Sequence, residues 1–298
     1  MNNILDPGMQ YIKLCRTYIL ITSSILLSAC ATMPGQYNKP IQSHYPKHRY
    51  NQEYDSAPRH MVDVSLIRNA IPKIEPTILK YNPPSYYVNG QRYHVLKNNT
   101  GYHATGIASW YGTKFQNYLT SSGEKYDMFK MTAASKTLRI PCYARVTNLE
   151  NGHRVIVKVN DRGPFKQDRI LDLSYVAAKK LNILQKGTGL VEVSVLTPQV
   201  AKTASTKTIQ LPKNTKPRIY LQLGAYSESA HATIVEHDAQ KAVNTVPSHV
   251  YRQRRGKELL YLVRIGPIPT VAAADIITSK LKAAHLPTPM TVIEETMR

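Results

Sequence analysis

Tyr143-Ala-Arg-Val-Thr-Asn-Leu149, Glu150-Asn-Gly-His153 and Arg154-Val-Ile-Val-Lys-Val159 follow one another without a break. Each flanking run alternates apolar and polar residues, the period of a strand whose two faces meet different surroundings. The Asn-Gly between them is a hairpin signal, because both residues tolerate the positive φ of a tight turn. Outward from this pair, Gly106-Ile-Ala-Ser-Trp-Tyr-Gly112 reads as a short strand ending in a glycine turn. Leu190-Val-Glu-Val-Ser-Val-Leu196 is a further alternating strand. Ser174–Leu181 is a helix candidate, with Asp172 and Ser174 as capping groups. Short strands, many turns and little helix predict a compact β-barrel over residues 85–198.

Residues 199–217 carry Lys202, Lys207, Lys213 and Lys216 among Thr, Ser and Pro, and read as a linker. Beyond it, residues 218–298 read as strand Ile219–Gly224, helix Ser229–Ala242, strand His249–Gln253, strand Leu259–Ile265, helix Val271–Ala284 and strand Met290–Ile293. That order is the β-α-β-β-α-β split unit, so the chain is mainly β followed by an α+β domain.

The N-terminus sets the compartment. Lys13 and Arg16 precede the apolar run Tyr18–Leu27, which ends in Leu27-Ser-Ala-Cys30. A basic region, a short apolar stretch and small residues before a cut form a secretory signal, here residues 1–29. The run is shorter than the roughly 20 apolar residues needed to span a bilayer. Leu-Ser-Ala-Cys resembles the bacterial lipobox, which makes Cys30 the lipidation site and the mature N-terminus. Ala31, in place of Asp, implies sorting to the outer membrane. Residues 30–84 are rich in Pro, Tyr, His and Asn without periodic patterning, and read as a flexible tether.

Among 298 residues there are 39 Lys+Arg and 19 Asp+Glu, a formal net charge of +20. Such a balance suits a polyanion: nucleic acid, an anionic membrane face or an acidic polymer. The secretory signal removes chromosomal nucleic acid and leaves the wall polymer and lipid. Three Cys are too few for a disulfide scaffold or multi-Cys zinc module. The His residues lack zincin spacing, and no phosphate loop, dinucleotide fingerprint or Gly-x-Ser-x-Gly elbow occurs, so no metal or cofactor is expected.

Two carboxylates stand out. Glu124 ends Thr120-Ser-Ser-Gly-Glu124, and Asp161 sits in Val159-Asn-Asp-Arg-Gly-Pro-Phe165 just after a strand. A strand-end Asp beside Asn, Arg and Gly points into a loop mouth, although the same residues also form ordinary turns. A carboxyl pair is what glycosidic cleavage requires: one group to protonate the leaving oxygen, another as base or charge stabiliser.

With Ala144-Arg-Val-Thr-Asn-Leu149 and Arg169-Ile-Leu-Asp-Leu-Ser174, these motifs occur in the order seen in the rare lipoprotein A family, which residues 85–198 closely resemble. The resemblance implies a six-stranded double-psi β-barrel and lytic transglycosylation of MurNAc–GlcNAc linkages, leaving 1,6-anhydromuramyl ends. It implies Asp161 as the catalytic acid–base residue and Glu124 as a second functional acid, with Trp110, Tyr111, Ser135 and Arg162 around the substrate. Leu221-Gln-Leu-Gly-Ala-Tyr226 and Tyr261-Leu-Val-Arg-Ile-Gly-Pro267 resemble the strand signatures of SPOR domains. Those domains bind denuded glycan strands at division septa, which implies peptidoglycan strands and septal proteins as partners. Strand alternation puts Gln222 and Tyr226 on one face as contact candidates.

One departure bears on activity. The family has Thr-Ala-Ala-His then Thr-Leu-Pro; here Ser135 replaces the His and Arg139 the Pro. Serine can donate a hydrogen bond but has no group that titrates near neutrality. This favours an alternative, a non-catalytic, expansin-like wall-binding lipoprotein.

Overall fold

The computed structural model describes residues 52, 54–60, 62–166, 168–197, 206–210 and 217–294. Cys30, the signal, the first part of the tether and most of the 199–217 linker lie outside the described residues.

The hairpin expected around Asn151-Gly152 is present, joining β5 (Cys142–Asn148) to β6 (Arg154–Asp161). It belongs to a larger set: β1 (Ser85–Val88), β2 (Gln91–His94), β3 (His103–Tyr111), β4 (Thr132–Ala134), β7 (Arg169–Ser174) and β8 (Thr188–Leu196). Six of these close into a barrel in the order β3-β7-β4-β6-β5-β8. The β3–β7 and β4–β6 pairs are parallel, and the other neighbours are antiparallel. Inward-facing Val146, Val157, Leu173 and Val191 are fully buried, each worth about 1.5–3 kcal/mol of transfer free energy. Gly106 lets β7 approach β3: a Cβ there would stand 2.7 Å from Ile170.

Ser174 caps α1 (Tyr175–Lys180), its Oγ accepting from Ala177 N at 3.3 Å. Asp172 does not cap. Its carboxylate turns across the sheet and accepts from the Ser109 hydroxyl of β3.

Residues 54–60 and 62–84, expected to be flexible tether, lie along the barrel as a strap. Asp55 accepts from Gly112 N and Lys114 N, and Ser56 O from Thr113 N. Val62, Val64, Ile67 and Ala70 pack against the barrel core, and Ala70 N bonds to Ile156 O. Farther on, Glu75 accepts from Tyr143 and Lys158. Asn82 is buried and bonds both ways to the Ile140 backbone, at 2.7 and 2.8 Å. Composition hid this packing because the strap makes no periodic element; its polar groups bond singly to barrel backbone and side chains.

The C-terminal unit follows the expected order: β9 (Arg218–Tyr226), α2 (Ser229–Ala242), β10 (Ser248–Arg255), β11 (Glu258–Ile268), α3 (Val271–Ala283) and β12 (Met290–Glu294). Its sheet runs β10-β11-β9-β12. Leu221, Val263 and Ile265 pack with Ala232, Val235, Ala274 and Ile277 of the helices. Ile107 and Leu190 of the barrel join the same cluster, and Thr291 N bonds to Asp168 of the β6–β7 connection at 3.0 Å.

Asn82→Ala should destabilise the chain by about 1–3 kcal/mol, because it leaves buried backbone groups at Ile140 without partners. Thermal unfolding checks this; an unchanged melting temperature would show that the strap is incidental.

Candidate active site

A cleft of about 320 Å³ opens where β6 ends, lined by Asp161, Arg162 and Phe165 together with Tyr111, Ser121 and Ala134. Val88 and Asn89, at the tip of the β1–β2 hairpin, form a further wall with Phe115 and Leu119. Polar groups on the floor and aromatic or aliphatic walls suit a sugar, whose faces are apolar and whose edges hydrogen-bond.

Asp161 is held by three donors converging on one oxygen. Ser121 N at 2.8 Å, Ser121 Oγ at 2.7 Å and Arg162 N at 2.7 Å all reach Oδ1. The strand end and the Thr120–Glu124 loop thus fix its rotation. The loop is itself stapled to β6 by the bond from Ser122 N to Asn160 O, and is closed on itself by Thr120 N to Glu124 O.

Glu124 supplies the other staple. Its carboxylate accepts from Lys158 Nζ at 2.6 Å and Asn160 Nδ2 at 2.9 Å, and it is not part of the cleft lining. Burial works to lower the Lys158 pKa, but Glu124 and Glu75 outweigh it and hold the ammonium above its ordinary value. Burial likewise pushes Glu75 up, while bonds from Tyr143 and Lys158 bring it below the usual carboxylate range.

Tyr111 stacks on Tyr126 at 4.1 Å. Burial, reinforced by Tyr126, Asp161 and Asp172, raises its pKa well above normal, so the phenol stays neutral. Trp110 alternates to the opposite face of β3, meets Tyr175 edge-on and is outside the lining. Arg162 reaches the cleft but directs its guanidinium to the carbonyls of Leu138 and Tyr81 and to Asn82 Oδ1. It ties the strap to the cleft. Ser135 is 1% exposed, its Oγ facing the N–H groups of Thr137 and Leu138 at 3.4 Å. Its place is the turn after β4, outside the cleft lining.

Asp172 was read from sequence mainly as a cap, a site role being the lesser reading, and Ala134 explains why it faces the site. Ala134 is the register partner of Asp161 across β6 and of Asp172 across β7. Residues directly opposite on neighbouring strands project to one face, and Ala134 lines the cleft. The signal in sequence was the alternation of Asp172 with inward Leu171 and Leu173. The cap reading of Asp-Leu-Ser obscured it. The β1–β2 hairpin also went unread, although Asn89-Gly90 is the same turn dipeptide as Asn151-Gly152.

In the C-terminal sheet, Gln222 and Tyr226 do not share a face. Gly224 pairs with Val263 and Gln222 with Arg264, so Leu223 is an extra residue. The bulge reverses the alternation. Tyr226 then lies on the helix side, against His231 of α2. Gln222 occupies the opposite face, where its Oε1 accepts from Arg264 Nε at 3.0 Å. Arg264 also stacks over Tyr251 and pairs with Glu294.

A family model described as lytic transglycolase matches residues 103–194, and the SPOR domain model matches residues 215–292. An endolytic peptidoglycan transglycosylase RlpA of Pseudomonas aeruginosa (strain UCBPP-PA14) is 32% identical, the alignment covering 91% of this chain and 94% of the relative. The protein of that name from Vibrio cholerae serotype O1 is 42% identical over 61% of this chain and 64% of its own length. Among solved structures, the RlpA SPOR domain from Pseudomonas aeruginosa aligns with 25% of this chain and 96% of its own, at 24% identity and a TM-score of 0.24. On a relative matched along nearly its whole length, the chain belongs to the family of the endolytic peptidoglycan transglycosylase RlpA.

Proposed function

We propose that the chain is an outer-membrane-anchored lytic transglycosylase that cuts MurNAc–GlcNAc linkages of denuded glycan strands during wall remodelling and daughter-cell separation. One observation carries this reading: Asp161, fixed by three donors at the floor of a cleft with aromatic walls. The names of its relatives support it.

The reaction is an internal displacement. The muramyl 6-hydroxyl attacks C1, the bond from C1 to the leaving oxygen breaks, and a 1,6-anhydro ring forms. No water enters, so orienting the sugar supplies much of the advantage. One proton must reach the leaving oxygen and one must leave the 6-hydroxyl; Asp161 serves this exchange. Glu124 acts through its loop: it holds Ser121, whose N–H and hydroxyl orient Asp161. The reading does not depend on a histidine at position 135, since the Ser135 side chain caps a turn and is not part of the cleft lining. The +20 charge favours the anionic wall, and the SPOR unit adds a second glycan-binding surface that delivers the barrel to septal peptidoglycan and its partner proteins.

With denuded sacculi, Asp161→Asn should lower anhydromuramyl release by about 10²–10⁴-fold while wall binding persists; Glu124→Gln should cost less. A wild-type protein that binds sacculi and releases no anhydromuramyl product would instead support the expansin-like alternative. For the C-terminal sheet, Gln222→Ala and Arg264→Ala should weaken pelleting with denuded sacculi, whereas Tyr226→Ala should act first on thermal stability. Equal loss of pelleting in all three would remove the distinction between the faces. Palmitate labelling of cells producing the protein should vanish in Cys30→Ala; persistence of the label would exclude Cys30 as the anchor.

A further inference from the structure

Glu124 is bound by Lys158 and Asn160 and acts through its loop; another carboxyl is aligned with Asp161. Asp172, like Glu124, is outside the cleft lining, but it shares a strand row with Asp161 and with Ala134 of that lining. Asp161, Ala134 and Asp172 lie in one row across β6, β4 and β7. Adjacent strands are about 4.8 Å apart, so the outer two backbones are separated by roughly 10 Å. Carboxyl pairs that flank a glycosidic linkage span about 5–9.5 Å, a gap that side chains leaning from such positions can meet.

Gly163 leaves the way open. A Cβ at that position would stand 3.8 Å from Asp172 Oδ2 and 3.9 Å from both Ala134 and Phe165, two residues of the cleft lining. These are ordinary contact distances, so glycine keeps the space beside the Asp172 carboxyl free of a side chain. Ser109 donates to the other oxygen, Oδ1, and fixes the rotation that turns Oδ2 toward Gly163.

We propose that Asp172 is the general acid of the barrel, giving its proton to the departing glycosidic oxygen while Asp161 receives the proton of the muramyl 6-hydroxyl. This rests on the transglycosylase reading. The balance closes: C1–O6 forms as the C1–O bond to the leaving sugar breaks. Asp172 ends as carboxylate and Asp161 as acid, and exchange with water restores both. No other reactant is required.

The surroundings favour a held proton. Burial raises the Asp172 pKa, and Asp55 adds to this; the Ser109 hydrogen bond, Arg169 and Lys136 oppose it but do not cancel it. Tyr111, on the same face of β3 as Ser109, is neutral. An acid must be protonated to act, so turnover should fall as pH rises through this raised pKa. Removing the Ser109 hydroxyl deletes a bond that lowers the pKa, so the alkaline limb should move to higher pH.

The test uses the full chain, denuded sacculi and anhydromuramyl release across pH. Asp172→Asn keeps shape and an acceptor for Ser109 but cannot give the proton. It should lose about 10²–10⁴-fold in turnover and still pellet with sacculi. A buried acid with a raised folded-state pKa loses stability as pH rises through that value, and Asn escapes this loss. Asp172→Asn should therefore melt higher than wild type at alkaline pH and alike at acid pH. Ser109→Ala, with an alkaline limb shifted upward, is the second variant. Wild-type turnover in Asp172→Asn, or an unmoved limb in Ser109→Ala, overturns the assignment and leaves the proposed function standing. A wild type without anhydromuramyl product overturns both.

Discussion

The three residues of Thr132–Ala134 are the constraint on which the site depends. This strand is parallel to β6 on one side and antiparallel to β7 on the other, and without it the barrel does not close. Because side chains alternate with period two, a slip of one residue would turn Ala134 into the core and bring Ala133 to the cleft. Asp161 and Asp172 would then no longer lie opposite a common small residue. Alanine at the centre of the row also leaves space above it, which a larger side chain would fill.

Around that row, rigidity comes from segments distant in sequence. Asp161 depends on Ser121, Ser121 on the loop that Glu124 and Ser122 pin to β6, and Glu124 on Lys158. Lys158 in turn is shared with Glu75 of the strap. Two carboxylates around one partly buried ammonium form a satisfied cluster in which each charge has a partner; losing Lys158 would leave like charges facing each other. Asn82 performs the same task without charge, linking the strap to Ile140 and Arg162.

Much of this was legible in sequence. Alternation located β3, β5, β6 and β8, and the helices of the C-terminal unit fell within a residue of expectation, because each carries a complete local period. β4 is too short to show one, and β7 was masked by its cap-like ending. The strap was invisible because its order comes from single bonds to a surface that exists only after the barrel has formed. Motifs found Asp161 and Glu124; the register that sets Asp161 and Asp172 opposite the common Ala134 emerged only from the folded barrel. At Leu223, one inserted residue undid an inference from alternation, since a bulge leaves no signature in hydropathy.

The strap also shortens the leash. With Asp55 fixed to the Gly112–Lys114 turn, the barrel's hold on the chain begins by residue 55 rather than at residue 85. The anchor point is also off-centre: Asp55 grips the turn just after Tyr111, a residue of the cleft lining. A pull on the chain N-terminal to Asp55 would therefore reach the barrel first at that turn, beside the cleft.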